Sequence, residues 1–219
     1  MQINNKISSN NFGWHIKTHA QVTEKALSNF PKLLPYKKYF TIGSQIPDIS
    51  LQQTSALDKV AHNFYGDPDE ALSMDALEFF QKLYGDTLFF LSSEINGYAA
   101  FKGGQALHFL QDMGVPLHTQ KKYQSPFRIF SHIKYEGVAR KHPEYIDSLV
   151  LDRSKLTPQP SSISYTDRFF DAYEKSAKMP HPFDKENRGN WDKSVKEALE
   201  NTYHSTCEFL ANFEDKIRR

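Results

Sequence analysis

The amino-acid sequence predicts an all-α fold, in which residues 14–219 form a single compact multi-helix domain behind a disordered N-terminal arm, residues 1–13. Apolar residues recur at helical spacing along almost the whole chain, and no segment alternates convincingly in the manner of a strand. The loops are short relative to the helices that they join, so no domain boundary is predicted. A chain of 219 residues is long enough to bury a substantial core.

The first part of the chain is predicted to alternate between helices and a long irregular connection. The first helix runs from Thr18, a suitable N-cap, to Phe30, and Pro31 and Pro35 end it. Residues 36–53, which include the sequence GSQIPD, are predicted to be irregular. A short helix over residues 55–63 and a long amphipathic helix over residues 69–91 follow. The predicted buried stripe of the long helix is Ala71, Met74, Leu77, Phe80, Leu83, Tyr84 and Leu88.

Two helices in the middle of the chain, over residues 99–113 and 126–141, carry most of the candidate functional residues. Pro116 is predicted to close the first and Pro143 to stop the second. Gly103 and Gly104 inside the first helix lower its propensity, which indicates close packing against a neighbour or a ligand. The last elements are predicted as a loop at 152–164, a helix at 165–178, a second loop and a terminal helix at 191–217.

The composition excludes several classes of protein. The net charge is +1, from 27 basic and 26 acidic residues, so no global field favours nucleic acid or an anionic membrane. Lys17, Lys102, Lys121 and Lys122 are interpreted as solvated lysines. Cys207 is the single cysteine, which excludes a disulfide within the chain and predicts a small buried residue. Aromatic residues make up 14% of the sequence and are interpreted as core.

The N-terminal segment MQINNKISSNNFGW gives the expectation for localisation. It is polar, rich in Asn and Ser, and lacks the apolar centre of a secretory signal. No stretch of the sequence approaches the length of a transmembrane helix. The expectation is therefore a protein that is cytoplasmic or exported by an unconventional route.

Five residues near the middle of the chain have the spacing of a multinuclear zinc site. They follow the pattern H-x3-D-x5-H-x13-H-x3-E and are His108, Asp112, His118, His132 and Glu136. Residues four apart on a helix point the same way, so two of the pairs can each face one ion. Imidazole and carboxylate donors suit zinc. Upstream, His19, Asp48 and His62 add three more potential donors in order.

Each pair taken alone has an ordinary structural explanation. A lone H-x3-D or H-x3-E on a helix is more often a surface pair than a metal site, and Asp48 after Pro47 is compatible with a turn or a cap. The eight donors together favour the metal interpretation. The other histidines, His15, His142, His181 and His204, are interpreted as surface or capping residues.

The full series, which begins at Trp14 and ends at Glu136, resembles the zinc-dependent phospholipase C family and the wider superfamily that includes fungal single-strand-specific zinc nucleases. The most specific piece is ALHFLQDMGVPLH. The resemblance implies an all-helical fold of the phospholipase C type and two to three Zn²⁺ ions per chain. It also implies a phospholipid or other phosphodiester substrate and transient contact with a membrane surface.

The resemblance also implies how the donors are grouped. Asp48, His62, His108 and Asp112 would hold the first zinc. Asp112 would bridge to a second zinc that His19 and Trp14 complete. His118, His132 and Glu136 would hold the third. The implied reaction is phosphodiester hydrolysis by a zinc-bound hydroxide, with Asp48 as a catalytic residue that orients or deprotonates the nucleophile.

Two positions depart from the family pattern. In the family the tryptophan that matches Trp14 is the mature N-terminus, whose amine and carbonyl bind zinc, whereas 13 residues precede it here. Either the arm is cleaved after Gly13, or this metal position is weakened, completed by water or empty. An aromatic residue follows the matching aspartate in the bacterial phospholipases, but here Ile49 follows Asp48. The choline pocket is therefore not carried over, and Phe64, Tyr65 and Tyr123 are only candidate pocket residues.

Three functions remain open from the sequence. The H-x3-E motif, the short spacing between His118 and His132 and the lack of a disulfide pair favour a phospholipase C. The spacing W-x4-H, from Trp14 to His19, is that of the nuclease branch. The departure at Trp14 motivates a third possibility, a zinc-stabilised binding protein without turnover.

Overall fold

The computed structural model describes residues 16–51, 76–120, 129–156, 165–180 and 191–217. Every regular element in these ranges is helical, which confirms the predicted all-α fold. The helices are α1 (Ile16–Leu27), α2 (Lys37–Leu51), α3 (Ala76–Ser92), α4 (Asn96–Asp112), α5 (Pro116–Thr119), α6 (Ile129–Lys141), α7 (Pro143–Asp147), α8 (Tyr165–Ala177) and α9 (Asp192–Ile217). The predicted arm at 1–13 and the predicted helix at 55–63 lie outside the described residues.

Helix α2 corrects the prediction of an irregular connection over residues 36–53. Gly43 and Pro47, which suggested an irregular segment, both lie inside this helix. A Cβ built on Gly43 would lie 2.9 Å from the Cα of Gly104 in α4, and it would overlap the carbonyl oxygen of Phe101. The backbones of α2 and α4 are therefore in direct contact, which only glycine permits. Tertiary packing outweighs the local cost of Pro47.

Helix α1 begins earlier than predicted and ends earlier too. It starts at Ile16, so Thr18 is not its N-cap but a fully buried residue of its first turn. It ends at Leu27, and Pro31 begins a separate 3₁₀ helix, Pro31–Tyr36, instead of ending α1. The buried face of α1, which includes Val22, packs against α2 and α9.

Helices α3 and α4 form a tight hairpin whose turn contains Glu94 at a φ of 57°. Phe80 of the predicted stripe is fully buried and Leu77, Leu83, Tyr84 and Leu88 are half-buried, whereas residues 69–75 lie outside the described part of the chain. A Cβ on Gly103 would lie 3.1 Å from the Phe40 ring. The predicted close packing at Gly103 and Gly104 is therefore confirmed.

The C-terminal elements agree closely with the sequence prediction. Helix α8 ends at Ala177 and α9 begins at Asp192, each within one residue of expectation. Pro143 stands at the start of α7, directly after α6 ends at Lys141. Cys207 is buried and free, and burial raises the pKa of its thiol to about 12, as expected of a core residue. None of the described helices is long and apolar enough to cross a membrane.

Candidate metal centre

Two helices, α1 and α4, bring His19, His108 and Asp112 together in the interior. Each offers one donor atom, and these three atoms lie within 4.8 Å of one another. Asp112 stands between the two imidazoles: its Oδ1 is 3.4 Å from Nε2 of His19, and its Oδ2 is 3.5 Å from Nε2 of His108. All three side chains are fully buried. One carboxylate therefore faces two buried imidazoles, with a different oxygen towards each.

These separations fit two donors of one metal ion better than a direct hydrogen bond. Good N–H···O bonds measure about 2.7–3.2 Å between heavy atoms. Two donors bound to one tetrahedral zinc at about 2.0–2.2 Å lie roughly 3.3–3.6 Å apart. The distances from Asp112 to His19 and His108 lie within that second range.

Asp48 joins the same cluster from α2. Its Oδ1 lies 3.8 Å from Nε2 of His108, and the residue is 4% exposed. Asp48 sits within a turn of Ser44, whose carbonyl accepts a hydrogen bond of 2.9 Å from Nδ1 of His108. The glycine contact between α2 and α4 therefore sets the position of Asp48 relative to His108.

A second pair lies where α5 meets α6. Helix α4 ends at Asp112, and Pro116 begins α5 instead of closing α4 as predicted. The short helix α5 directs His118 towards α6, and its Nε2 lies 3.7 Å from Oε1 of Glu136. Both residues are buried. Two of the three donors that the resemblance assigns to the third zinc therefore lie close together.

The pKa of Asp48 reflects both groups of donors, the one around Asp112 and the pair of His118 and Glu136. Burial raises the pKa of Asp48 well above its usual value, and the carboxylates of Asp112 and Glu136 raise it further. Three carboxylates that are close enough to repel one another in the interior favour a bound cation, since each ion loses hydration on burial. Nitrogen and carboxylate oxygen are donors that zinc prefers, so the residues present fit this metal.

Hydrogen bonds fix which ring nitrogen of each histidine faces the cluster. Nδ1 of His108 donates to the carbonyl of Ser44, and Nδ1 of His19 lies 2.7 Å from Oε1 of Gln111. In both rings Nε2 is therefore left to face Asp112. Such outer partners orient imidazole ligands and raise their basicity in metal sites.

These outer partners, above all Gln111, are not among the residues that the sequence motifs predict. This residue directly precedes Asp112 in the HFLQD motif and is fully buried. A signal was available in Thr23, which follows His19 by four residues and shares its face of α1. Thr23 accepts a hydrogen bond of 3.0 Å from the Gln111 amide. The partner Ser44 acts through its backbone, which no residue pattern reveals.

Several predicted site residues lie outside the described part of the chain. These are Trp14, His62 and the side chain of His132, together with the candidate pocket residues Phe64, Tyr65 and Tyr123. Their roles stay predictions. Of the other histidines, His142 and His204 are both half-buried; His142 pairs with Glu144 and His204 pairs with Glu208. His15 and His181 lie outside the described residues.

The comparisons with known proteins agree with a zinc enzyme fold. The sequence profile of the family described as "Zinc dependent phospholipase C" matches residues 18–207, most of the chain. The chain therefore belongs to this family, which confirms the resemblance inferred from the sequence motifs. No match was found among curated proteins.

Two solved structures show the same fold. One is the alpha-toxin of Clostridium perfringens from avian strain SWCP, at 17% identity and a TM-score of 0.67; the match covers 96% of this chain and 65% of that chain. The other is the alpha toxin from Clostridium absonum, at 16% identity and a TM-score of 0.65, covering 94% of this chain and 65% of that one. This chain thus spans about two thirds of the length of these toxins.

Proposed function

We propose that this chain is a zinc-dependent hydrolase that cleaves the bond between phosphate and glycerol in a phospholipid. The observation that carries the proposal is the buried group of His19, His108 and Asp112, with donor atoms at ligand separations. Membership of the zinc-dependent phospholipase C family supports the substrate class.

The described residues divide into three sets of donors, of which the first two share Asp112. His108, Asp48 and Asp112 would hold one ion, and His19 with Asp112 would hold a second ion beside it. His118 and Glu136 would contribute to a third. Zinc held by these residues would supply a water of lowered pKa and would offset the charge of the phosphate oxygens.

Asp48 is the candidate catalytic residue. Its Oδ2 has no hydrogen-bond partner among the described residues, although the side chain is almost completely buried. In the proposed reaction this oxygen accepts a hydrogen bond from the attacking water and takes its proton. The water oxygen bonds to phosphorus, the bond from phosphorus to the glycerol oxygen breaks, and the proton ends on that oxygen. The products are a diacylglycerol and a phosphorylated headgroup.

The test compares three substrates with purified protein loaded with zinc: phosphatidylcholine vesicles, a chromogenic phosphocholine ester and single-stranded DNA. Release of diacylglycerol from the vesicles is the expected result. Asp112→Asn is expected to lower the rate at least about 100-fold, since it removes the shared carboxylate. Glu144→Gln is the matched control, because Glu144 is an exposed carboxylate that pairs with His142 away from the cluster.

The alternatives predict different results. Cleavage of DNA alone would overturn the lipase assignment in favour of the nuclease branch, which the Trp14–His19 spacing resembles. If wild type binds zinc but is as inactive as Asp48→Asn on a panel of phosphodiesters, the chain is a zinc-stabilised binding protein. Vesicles with ethanolamine, serine and glycerol headgroups extend the panel, because Ile49 leaves the choline pocket unassigned.

A further inference from the structure

Gln111 is the centre of a buried hydrogen-bond network that joins three helices to the candidate metal centre. Its Oε1 lies 2.7 Å from Nδ1 of His19 in α1. Its Nε2 donates to Thr23 Oγ1 of α1 at 3.0 Å and to Thr206 Oγ1 of α9 at 3.2 Å. All four side chains are fully buried.

The network determines the orientation of the Gln111 amide. The hydroxyl of Thr206 donates its proton to the carbonyl of Thr202 at 2.8 Å. Its oxygen can therefore only accept from Gln111, and the amide atom that faces it must be the NH₂ group. The carbonyl oxygen of the amide consequently faces His19.

The orientation of the amide in turn determines the tautomer of His19. An amide oxygen can only accept, so Nδ1 of His19 carries the proton. Nε2, which faces Asp112 at 3.4 Å, then keeps its lone pair for a metal ion. These side chains are fully buried, where hydrogen bonds are strong and costly to leave unmade, so the arrangement is held before any ion binds.

We propose that Gln111 is a positioning residue that fixes His19 as the Nδ1–H tautomer and so secures the ion shared by His19 and Asp112. The inference rests on the proposed metal centre. It applies to one ion specifically, because His108 is oriented by the backbone carbonyl of Ser44 instead. It also gives α9, which carries none of the predicted ligands, a direct link to the site through Thr206.

The test uses the full chain and three variants. Gln111→Met keeps the length of the side chain and removes the acceptor for His19. Gln111→Glu keeps an acceptor for His19, and the hydroxyl of Thr23 can turn to donate to its second oxygen. Thr202→Val perturbs the same contact between α4 and α9, since Thr202 donates to the backbone carbonyl of Gln111 at 3.3 Å, without touching His19.

Two measurements are made on each variant. Long-range ¹H–¹⁵N NMR of the imidazoles reads the tautomer of His19 in metal-free protein. Elemental mass spectrometry against a competing chelator reads the number and affinity of bound zinc ions. Gln111→Met is expected to mix the tautomers of His19 and to weaken one zinc ion about 10- to 100-fold, the usual cost of losing an outer partner. Gln111→Glu and Thr202→Val are expected to retain both properties.

The proposal would be overturned if Gln111→Met kept both the Nδ1–H tautomer of His19 and the zinc affinity of wild type. It would also be overturned if Gln111→Glu lost as much zinc affinity as Gln111→Met. If Gln111→Met does not fold, Thr23→Val removes one of the two acceptors that hold the amide and is expected to shift zinc affinity in the same direction. A different result would contradict the proposed function: zinc-loaded wild type that hydrolyses none of the phosphodiesters. The NMR result in metal-free protein does not depend on that outcome.

Discussion

Two H-x3-E pairs in this chain have the same spacing and opposite electrostatic settings. Glu136 follows His132 by four residues and lies in the candidate metal centre, and Glu208 follows His204 by four residues on α9. Both glutamates are largely buried. The spacing alone therefore does not separate a metal site from a structural ion pair.

The difference lies in the charges around the two clusters, which are seen at Asp48 beside Glu136 and at Glu208 itself. Burial raises the pKa of Asp48 in the candidate metal centre, and its carboxylate neighbours raise it further. Burial also acts to raise the pKa of Glu208, but the hydrogen bond from His204 and the charges of Arg168 and Lys175 bring it below its usual value. Arg168 Nη1 lies 2.8 Å from Glu208 Oε2. In the second cluster, which is Arg168, His204 and Glu208, the protein's own cations neutralise the carboxylate. The first cluster, which is Asp48, Asp112 and Glu136, is suited to a cation bound from outside.

Removal of the metal should give the largest difference between the two clusters, because only the first is expected to contribute zinc-dependent stability. Chelation of zinc from the wild type is expected to lower its free energy of unfolding by about 4 kcal/mol, the value for free zinc at roughly 1,000 times Kd. Asp112→Asn should lose this dependence on zinc. Thermal unfolding with and without chelator measures both, and a wild type equally stable in the two conditions would contradict the first cluster's need for a cation.

Glu208→Gln tests the second cluster and should destabilise the protein by about 3 kcal/mol at pH 7, because it leaves Arg168 buried without its partner. Zinc stoichiometry should not change. The folded pKa of Glu208 is depressed, so its contribution is present above the unfolded pKa of about 4.3 and is lost as pH falls through the folded value. The stabilities of variant and wild type should therefore converge as pH falls through the folded pKa of Glu208; a constant difference would contradict the ion-pair account.

Gly104→Ala should disturb the first cluster and leave the second unchanged. The added Cβ would overlap the Phe40 carbonyl oxygen and force α2 away from α4, at a cost of about 2 kcal/mol. Zinc affinity should fall with it, since Asp48 and Ser44 lie on α2. Gly85→Ala is the matched control, because Gly85 is an exposed helical position with nothing within 4 Å of its Cβ, and it should stabilise by roughly 0.5–1 kcal/mol. Urea unfolding measures the change in stability, and zinc titration measures the change in zinc affinity.

Asp48→Asn should have the smallest effect on the free energy of unfolding, and that effect should be opposite in sign to the effect of Glu208→Gln. Removing one of the mutually repelling carboxylates should stabilise the metal-free protein by roughly 1 kcal/mol at pH 7. The same variant should gain less stability than wild type from added zinc. Thermal shifts in chelator and in zinc measure the two values, and a loss of stability in chelator would count against carboxylate repulsion in the empty cluster.

The amino-acid sequence by itself determined the helical class, the C-terminal helices and the convergence of His108 with Asp112. Each follows from helical periodicity, which acts over a few residues and is legible along the chain. The same local rules failed for α2, where Gly43 and Pro47 suggested an irregular segment. Glycine there permits a backbone contact with α4, and nothing local announces a partner 61 positions away at Gly104.

Only the tertiary structure decided which charges surround each pair and which groups orient the histidines. Arg168 and Glu208 come from different helices, as do Gln111 and His19, and no spacing rule connects them. Burial and the fields of distant side chains set the pKa of a carboxylate, and these depend on how helices pack. The sequence therefore named candidate donors. The packing of α1, α2 and α4, and of α8 on α9, distinguished a cluster suited to a metal ion from one already neutralised.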